Sequence, residues 1–186
     1  MARINHEAIK ANQYSMTHNW NFILKRFPSG LSNLSRYAGL LAENGILNLH
    51  METTGIPNAA VNVAEGKIRG ITVKQPSDTA PDGVFSGTFL DRDDYLVSEF
   101  FDAWRQLGSN RTSGIQLPKN QVLVFSDCDL HLLDGEGNTK AKYRPFNLYP
   151  NNVVLTDLSG DADYQRVTVD FNYTTFDRLN ENDEII

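Results

Sequence analysis

Hydrophobic positions along this chain fall mostly on a period of two. Near the C-terminal end Val167, Val169, Phe171 and Tyr173 alternate with Arg166, Thr168, Asp170 and Asn172, the pattern of a strand with one buried and one wet face. Trp20 to Phe27 reads as a first strand. Ile46 to Thr53 reads as another, with Leu47, Leu49 and Met51 facing one way and Asn48, His50 and Glu52 the other. Gly55-Ile56-Pro57 stops it, since proline cannot donate to a ladder. Residues 59–75 hold two short strand-like runs, around Val61-Val63 and Ile68-Val73, parted at Glu65-Gly66, and Gln75 to Gly83 reads as a loop. Val84 to Leu90, Gln121 to Leu133 (broken near Ser126-Asp127), Thr139 to Phe146 and Val153 to Leu158 complete the strands.

One segment has the helical period instead. Val97, Phe100, Phe101, Trp104 and Leu107 keep i, i+3, i+4, i+7 spacing, with Asp91 or Asp93 placed to cap the start and Gly108 at the end. Pro28 to Asn44 and Ser109 to Asn120 read as irregular connections. Residues 1–17 read as an arm, residues 18–179 as one domain, and residues 180–186 as an acidic tail. The expected fold is mainly β: a single-domain barrel or sandwich of about eight strands with one amphipathic helix against it.

The 186 residues are 40% hydrophobic, with ten Phe, seven Tyr and two Trp, enough to bury a core. A formal net charge of −6 argues against gripping duplex nucleic acid, because that affinity comes from Lys and Arg neutralising phosphates. Cys128 is the only cysteine, so no intramolecular disulfide forms and a small buried hydrophobe is the better reading of it. The N-terminus shows no signal-peptide run and no segment has the roughly 18 apolar residues of a membrane span. The expectation is a protein made and kept in a cytoplasm.

Catalytic and metal chemistry finds little support. His6, His18, His50 and His131 lack metal-ligand spacing, so neither a metal nor a cofactor is expected. Asp134-Gly135-Glu136-Gly137-Asn138 lacks the ligand pattern of a calcium loop and suits a hairpin turn. Gly83-Val84-Phe85-Ser86-Gly87 places its serine one position too late for a nucleophile elbow; small residues where strands cross closely explain it better. The acids of Asp91-Arg92-Asp93-Asp94 fit helix capping better than acid–base work, and no phosphate loop occurs.

One charge pattern stands out. Lys140, Lys142 and Arg144 alternate along one strand and make a purely basic face, with Lys67, Arg69 and Lys74 adding charge elsewhere. Either this is a solvated or edge-protecting face, or these cations meet acidic patches of an identical subunit.

The order of these motifs resembles the tail tube proteins of contractile-tailed bacteriophages, a family that shares its fold with the hemolysin-coregulated tube protein of type VI secretion. The resemblance spans about residues 18–177. It rests on Thr53-Thr54-Gly55-Ile56-Pro57, on Thr88-Phe89-Leu90-Asp91-Arg92-Asp93-Asp94 running into the helix of Phe100, Phe101 and Trp104, on Tyr149-Pro150 and Val153, on Leu158-Ser159, and on the final alternating strand. The connection 28–44 and the N-terminal arm are longer than the pattern, which leaves room for a specialised relative such as a tube initiator.

The resemblance implies a non-enzymatic structural subunit, made in the host cytoplasm and resident in a virion tail. Copies would close into hexameric rings through edge strands and stack into a tube whose lumen conducts DNA without binding it specifically. The implied partners are further copies, the tail sheath, a baseplate or tube initiator, and a tape-measure protein. Ring-to-ring contact is expected from residues 54–66, with Gly55, Ile56 and Pro57, and from the 28–44 segment. Leu31, Leu34 and Ile56 there are either anchors buried only on assembly or a cover for the chain's own barrel. The lumen is expected along Asn48, His50 and Glu52 and around Arg69, Ile71 and Val73. A secretion-type tube and a small-molecule-binding barrel are the rival readings; the latter requires a deep apolar cavity.

Overall fold

In the computed structural model, the structure describes residues 19–32, 34–41, 45–68, 71–156 and 164–186. The expected arm over residues 1–17 and the motif Leu158-Ser159 with its following turn lie outside these residues, as do Arg69 and the side chain of Leu34.

Ten strands occur among the described residues: β1 Trp20–Leu24, β2 Met51–Thr54, β3 Ala59–Ile68, β4 Ile71–Pro81, β5 Val84–Leu90, β6 Cys128–Leu133, β7 Thr139–Phe146, β8 Tyr149–Leu155, β9 Arg166–Asn172 and β10 Thr175–Leu179. They form sheet A in the order β1-β6-β7-β10, sheet B in the order β2-β5-β9-β8, and a separate ribbon of β3 and β4. Every described strand pairing is antiparallel. A single chain is therefore a sandwich of two open sheets, not a closed barrel.

The alternation predicted for the last long strand is realised in β9. Val167, Val169 and Phe171 are fully buried while Arg166, Thr168, Asp170 and Asn172 stay at the surface. Rings bridge the two sheets, Phe22 of β1 lying 5.9 Å from both Phe89 of β5 and Phe171 of β9. The amphipathic helix, Leu96–Gly108, closes this core with Val97, Phe100, Phe101 and Trp104, and Phe101 sits 4.9 Å from Phe89. The N-cap position is Tyr95, at φ 53°, and not Asp91 or Asp93; Asp91 reaches in from the preceding turn, its Oδ1 accepting the Val97 N–H at 3.1 Å. Cys128 is buried in the same core, and burial pushes its thiol pKa up, so it behaves as an inert hydrophobe.

Several expectations are corrected. Ile46 to His50 is a short helix and only Met51–Thr54 is a strand. Leu47 and Met51, four apart, are both buried, and over so short a stretch helical and alternating spacing coincide. The supposed connection 28–44 contains a helical turn, Leu34–Tyr37, continued as a 3₁₀ turn, Ala38–Leu40. A further turn of helix, Lys119–Val122, accepts the buried Trp104 indole N–H on the Val122 carbonyl at 2.7 Å.

The break predicted at Glu65-Gly66 and the loop predicted from Gln75 are instead continuous ladder. Glu65 faces Lys74 and Gly66 faces Val73 in the register of β3 with β4. Pro76 is tolerated beside a register shift, in a ribbon whose outer edges need no donors. The turn at 134–138 is the expected hairpin: Asp134 Oδ1 accepts the N–H groups of Glu136 and Asn138, each at 2.9 Å, and Gly137 holds φ +86°. A Cβ at Gly87 would meet only the methyl end of the flexible Met51 side chain, and β5 lies paired beside β2 and β9, so no close strand crossing explains that small-residue stretch.

Candidate assembly surfaces

The β3–β4 ribbon stands apart from the sandwich. Val61, Val63 and Ile71 are exposed along it, Ile71 at 70%. By register Val61, Val63, Glu65 and Lys67 share one face and Ala64, Gly66 and Val73 the other. An isolated two-stranded ribbon is marginal in water, and the described residues of the chain leave Val61, Val63 and Ile71 of this one uncovered. Its base is fixed to the sandwich through Asn58, whose N–H donates to Tyr173 Oη at 3.2 Å and whose carbonyl accepts from the same hydroxyl at 3.1 Å. Ile56 beside that base is 49% exposed, whereas its neighbour Pro57 is buried. Of the expected Gly55-Ile56-Pro57 contact, Ile56 thus offers apolar surface. Leu31 does not: it is buried in the chain's own core, so it is no anchor waiting for assembly.

The basic stripe of β7 is real but already answered from within the chain. Arg144 Nε lies 2.7 Å from Asp129 Oδ1, Lys142 Nζ lies 3.0 Å from Asp183, and Lys140 Nζ lies 3.6 Å from both Asp134 and Glu181. The acids that meet these cations are this chain's own, Asp129 and Asp134 at the ends of β6 and Glu181 and Asp183 in its C-terminal segment.

Asp129 is the hub of this network. It is 1% exposed, and Lys25 Nζ approaches it at 2.5 Å from the end of β1. Burial alone would raise its pKa, but His131, Arg144 and Lys25 outweigh that and hold the carboxyl well below the usual carboxylate range. His131 Nε2, at 3.8 Å, is beyond hydrogen-bond reach, so the two direct cation contacts dominate.

The outer face of sheet B is different in kind. Ser86 donates to Asp170 at 2.6 Å, Asn152 Nδ2 donates to the other Asp170 oxygen at 3.2 Å, Thr88 and Thr168 are paired at 3.2 Å, and Arg166 Nε donates to Glu52 at 2.7 Å. It is a mostly polar face, interrupted by exposed Val84 and Val154, whose one strand-borne cation is matched by a carboxylate. Glu52 therefore does lie on a wet sheet face. Asn48 and His50 do not: they sit on the short helix, where Asn48 Oδ1 accepts the Phe22 N–H and His50 Nδ1 lies 3.3 Å from the Leu90 carbonyl.

The sheet edges complete the geometry. At β1 the outward N–H of Phe22 is taken by Asn48, and at β10 the C-terminal segment returns alongside. Among the described residues no backbone hydrogen bond is made on the outer sides of β2 and β8, the edges of sheet B. Val154 and Leu155 are exposed on β8. A groove of about 750 Å³ between the 116–125 segment and β8 is lined by Leu117, Leu123, Phe125 and Tyr149. Among the described residues no three His, Cys, Asp or Glu side chains gather as a metal site, and no helix is long and apolar enough to cross a membrane.

Two antiparallel sheets packed around an aromatic core, with a two-stranded ribbon paired only with itself, define a mainly β protein. The chain belongs to the phage tail tube protein family, whose model matches residues 10–179. It is accordingly a structural tube subunit and not an enzyme. No curated protein matches it in sequence.

Among solved structures it is similar to a chain of the anti-feeding prophage cap that terminates the tube, with TM-score 0.60 and 10% identity over 91% of this chain and 94% of that one. A chain of the six-fold symmetrised baseplate of the anti-feeding prophage gives 0.59 and 13% over 91% and 98%. A chain of the sheath–tube complex of an extracellular contractile injection system gives 0.59 and 8% over 96% and 99%. At these identities the likeness is one of fold.

Proposed function

We propose that this chain closes into hexameric rings that stack into the inner tube of a contractile tail, with sheet B lining a lumen through which DNA passes. The observation that carries the reading is sheet B itself, on whose two edges no backbone hydrogen bond is made among the described residues and whose outer face is mostly polar with its cation neutralised. Open edges are a liability that joining strands around a ring removes. Hydroxyls, amides and a matched Arg166–Glu52 pair offer phosphate no free cation to hold, so DNA slides instead of binding. Glu52, Thr88, Arg166, Thr168 and Asp170 are the lumen residues on this reading.

The ribbon and Ile56 serve the second, non-closing contact, from ring to ring. A closing heterologous interface makes a ring, and one that does not close makes a filament. The remaining partners follow from the tube's place: a sheath around it, a baseplate or initiator at one end, and a tape-measure protein inside, in a virion tail. A protein-delivering particle is the second reading, favoured by the tube-cap and sheath–tube folds of injection systems that the chain resembles.

Negative-stain electron microscopy of the purified chain, alone and with preformed tube seeds, tests this. Rings or hollow tubes with sixfold end views are expected. Another symmetry, or monomers that never add to seeds, overturns it.

A further inference from the structure

We propose that residues 180–186 are an edge plug: they occupy the outer edge of β10 and withhold sheet A from strand pairing with a second copy of the chain. β10 is the last strand of sheet A. Left bare, it would present unpaired N–H and C=O groups as a template for another strand.

The chain turns back on itself immediately after this strand. Asn180 Oδ1 accepts the N–H groups of Asn182 at 2.8 Å and Glu184 at 2.9 Å, the Asn180 N–H donates to the Glu184 carbonyl at 2.8 Å, and Asp183 takes φ 63°. Asn and Asp accept such turns because their side chains bond their own backbone. Leu179 and Ile185 then form an antiparallel bridge, and the Ile186 N–H donates to the Arg178 carbonyl at 2.9 Å. The outward carbonyl of Arg178 is thus already used.

Charge staples the plug across the sheet. Asp183 lies 3.0 Å from Lys142 and 3.4 Å from Arg144, Glu181 lies 3.6 Å from Lys140, and Lys142 Nζ also donates to the Glu181 carbonyl at 3.4 Å. The stripe of β7 is therefore a receptor for the tail. With Asn48 taking the Phe22 N–H on β1, each edge of sheet A has an outward group already engaged, whereas among the described residues none is engaged on the edges of sheet B, so sheet B is the one a neighbouring copy joins. The inference rests on the tube reading only in taking a second copy as the partner.

Sedimentation velocity across a wide concentration range, on the full chain, a chain ending at Leu179, and Asp183→Lys, tests the plug. Both altered chains are expected to associate at concentrations at least tenfold below those where the full chain does, with hydrogen-exchange protection gained along β10. If both sediment as the full chain does, the plug is overturned. Should the shortened chain lose its near-ultraviolet circular dichroism, Asp183→Lys, which leaves the chain length and Asn180 intact, decides. Microscopy separates the two readings. Association through β10 by altered chains, from a full chain that never forms rings even when seeded, keeps the plug and sinks the tube; normal tubes with no change on truncation do the reverse.

Discussion

The side-chain carbonyl of Asn48 closes the strand edge at Phe22, accepting its backbone N–H at 2.9 Å from a helix that sits beside β1. The contact explains why a polar residue holds this place in a segment otherwise rich in leucine. It also carries the first prediction. Asn48→Ala leaves that N–H without its side-chain partner and is expected to cost about 1–2 kcal/mol, read from urea unfolding. Asn48→Asp, which keeps an acceptor, should recover most of it.

Ile71 on the ribbon contributes nothing to the core. Ile71→Asp is expected to leave the monomer's stability within about 0.5 kcal/mol, yet to abolish tubes in the microscope. The same separation is expected for Ile56→Asp. Unaltered tubes from both variants would remove the ribbon and its base from the ring-to-ring contact.

Asp129 predicts an acid limb. Its carboxyl is held below the unfolded value of about 3.9, so the stability it supplies is complete above that pH and is lost as pH falls through and below it. Asp129→Asn should cost about 3 kcal/mol at neutral pH, by leaving Lys25 and Arg144 without their buried partner. It should also flatten the loss of stability below about pH 4 that the unaltered chain shows. An equally steep acid limb in the variant would place the titrating group elsewhere.

Trp104 joins the long helix to the Lys119–Val122 turn through its indole N–H. Trp104→Ala is expected to cost about 3–5 kcal/mol from the cavity it leaves in the aromatic cluster. Trp104→Phe should keep much of that and lose chiefly the bond to Val122, about 1–2 kcal/mol. Thermal and denaturant melts of the pair separate the two contributions.

Much of the fold was legible because burial writes itself into sequence. β5 and β7 have the expected bounds, and the Val167–Tyr173 face and the Phe100–Trp104 face show the two periods plainly. The ribbon hides its length because it buries neither face, so Glu65-Gly66 looks like a break and Pro76 like loop while both stand in a ladder. The Ile46–His50 helix is too short for its period to declare itself. Among candidate surfaces, the β7 stripe was visible as charge. Its partner Asp183 lies 41 residues from Lys142, and no local pattern links such positions. Leu31 carried the same apolar signal as Ile56, and only tertiary packing tells the inward one from the outward.

The ribbon's independence separates folding from assembly. Because the core of Phe22, Phe89, Phe101 and Phe171 is complete within one chain, the sandwich needs no neighbour to fold and only the ribbon is left to gain from one. On the proposed tube reading a subunit can therefore wait folded, and assembly has only to order the ribbon, not to build a core.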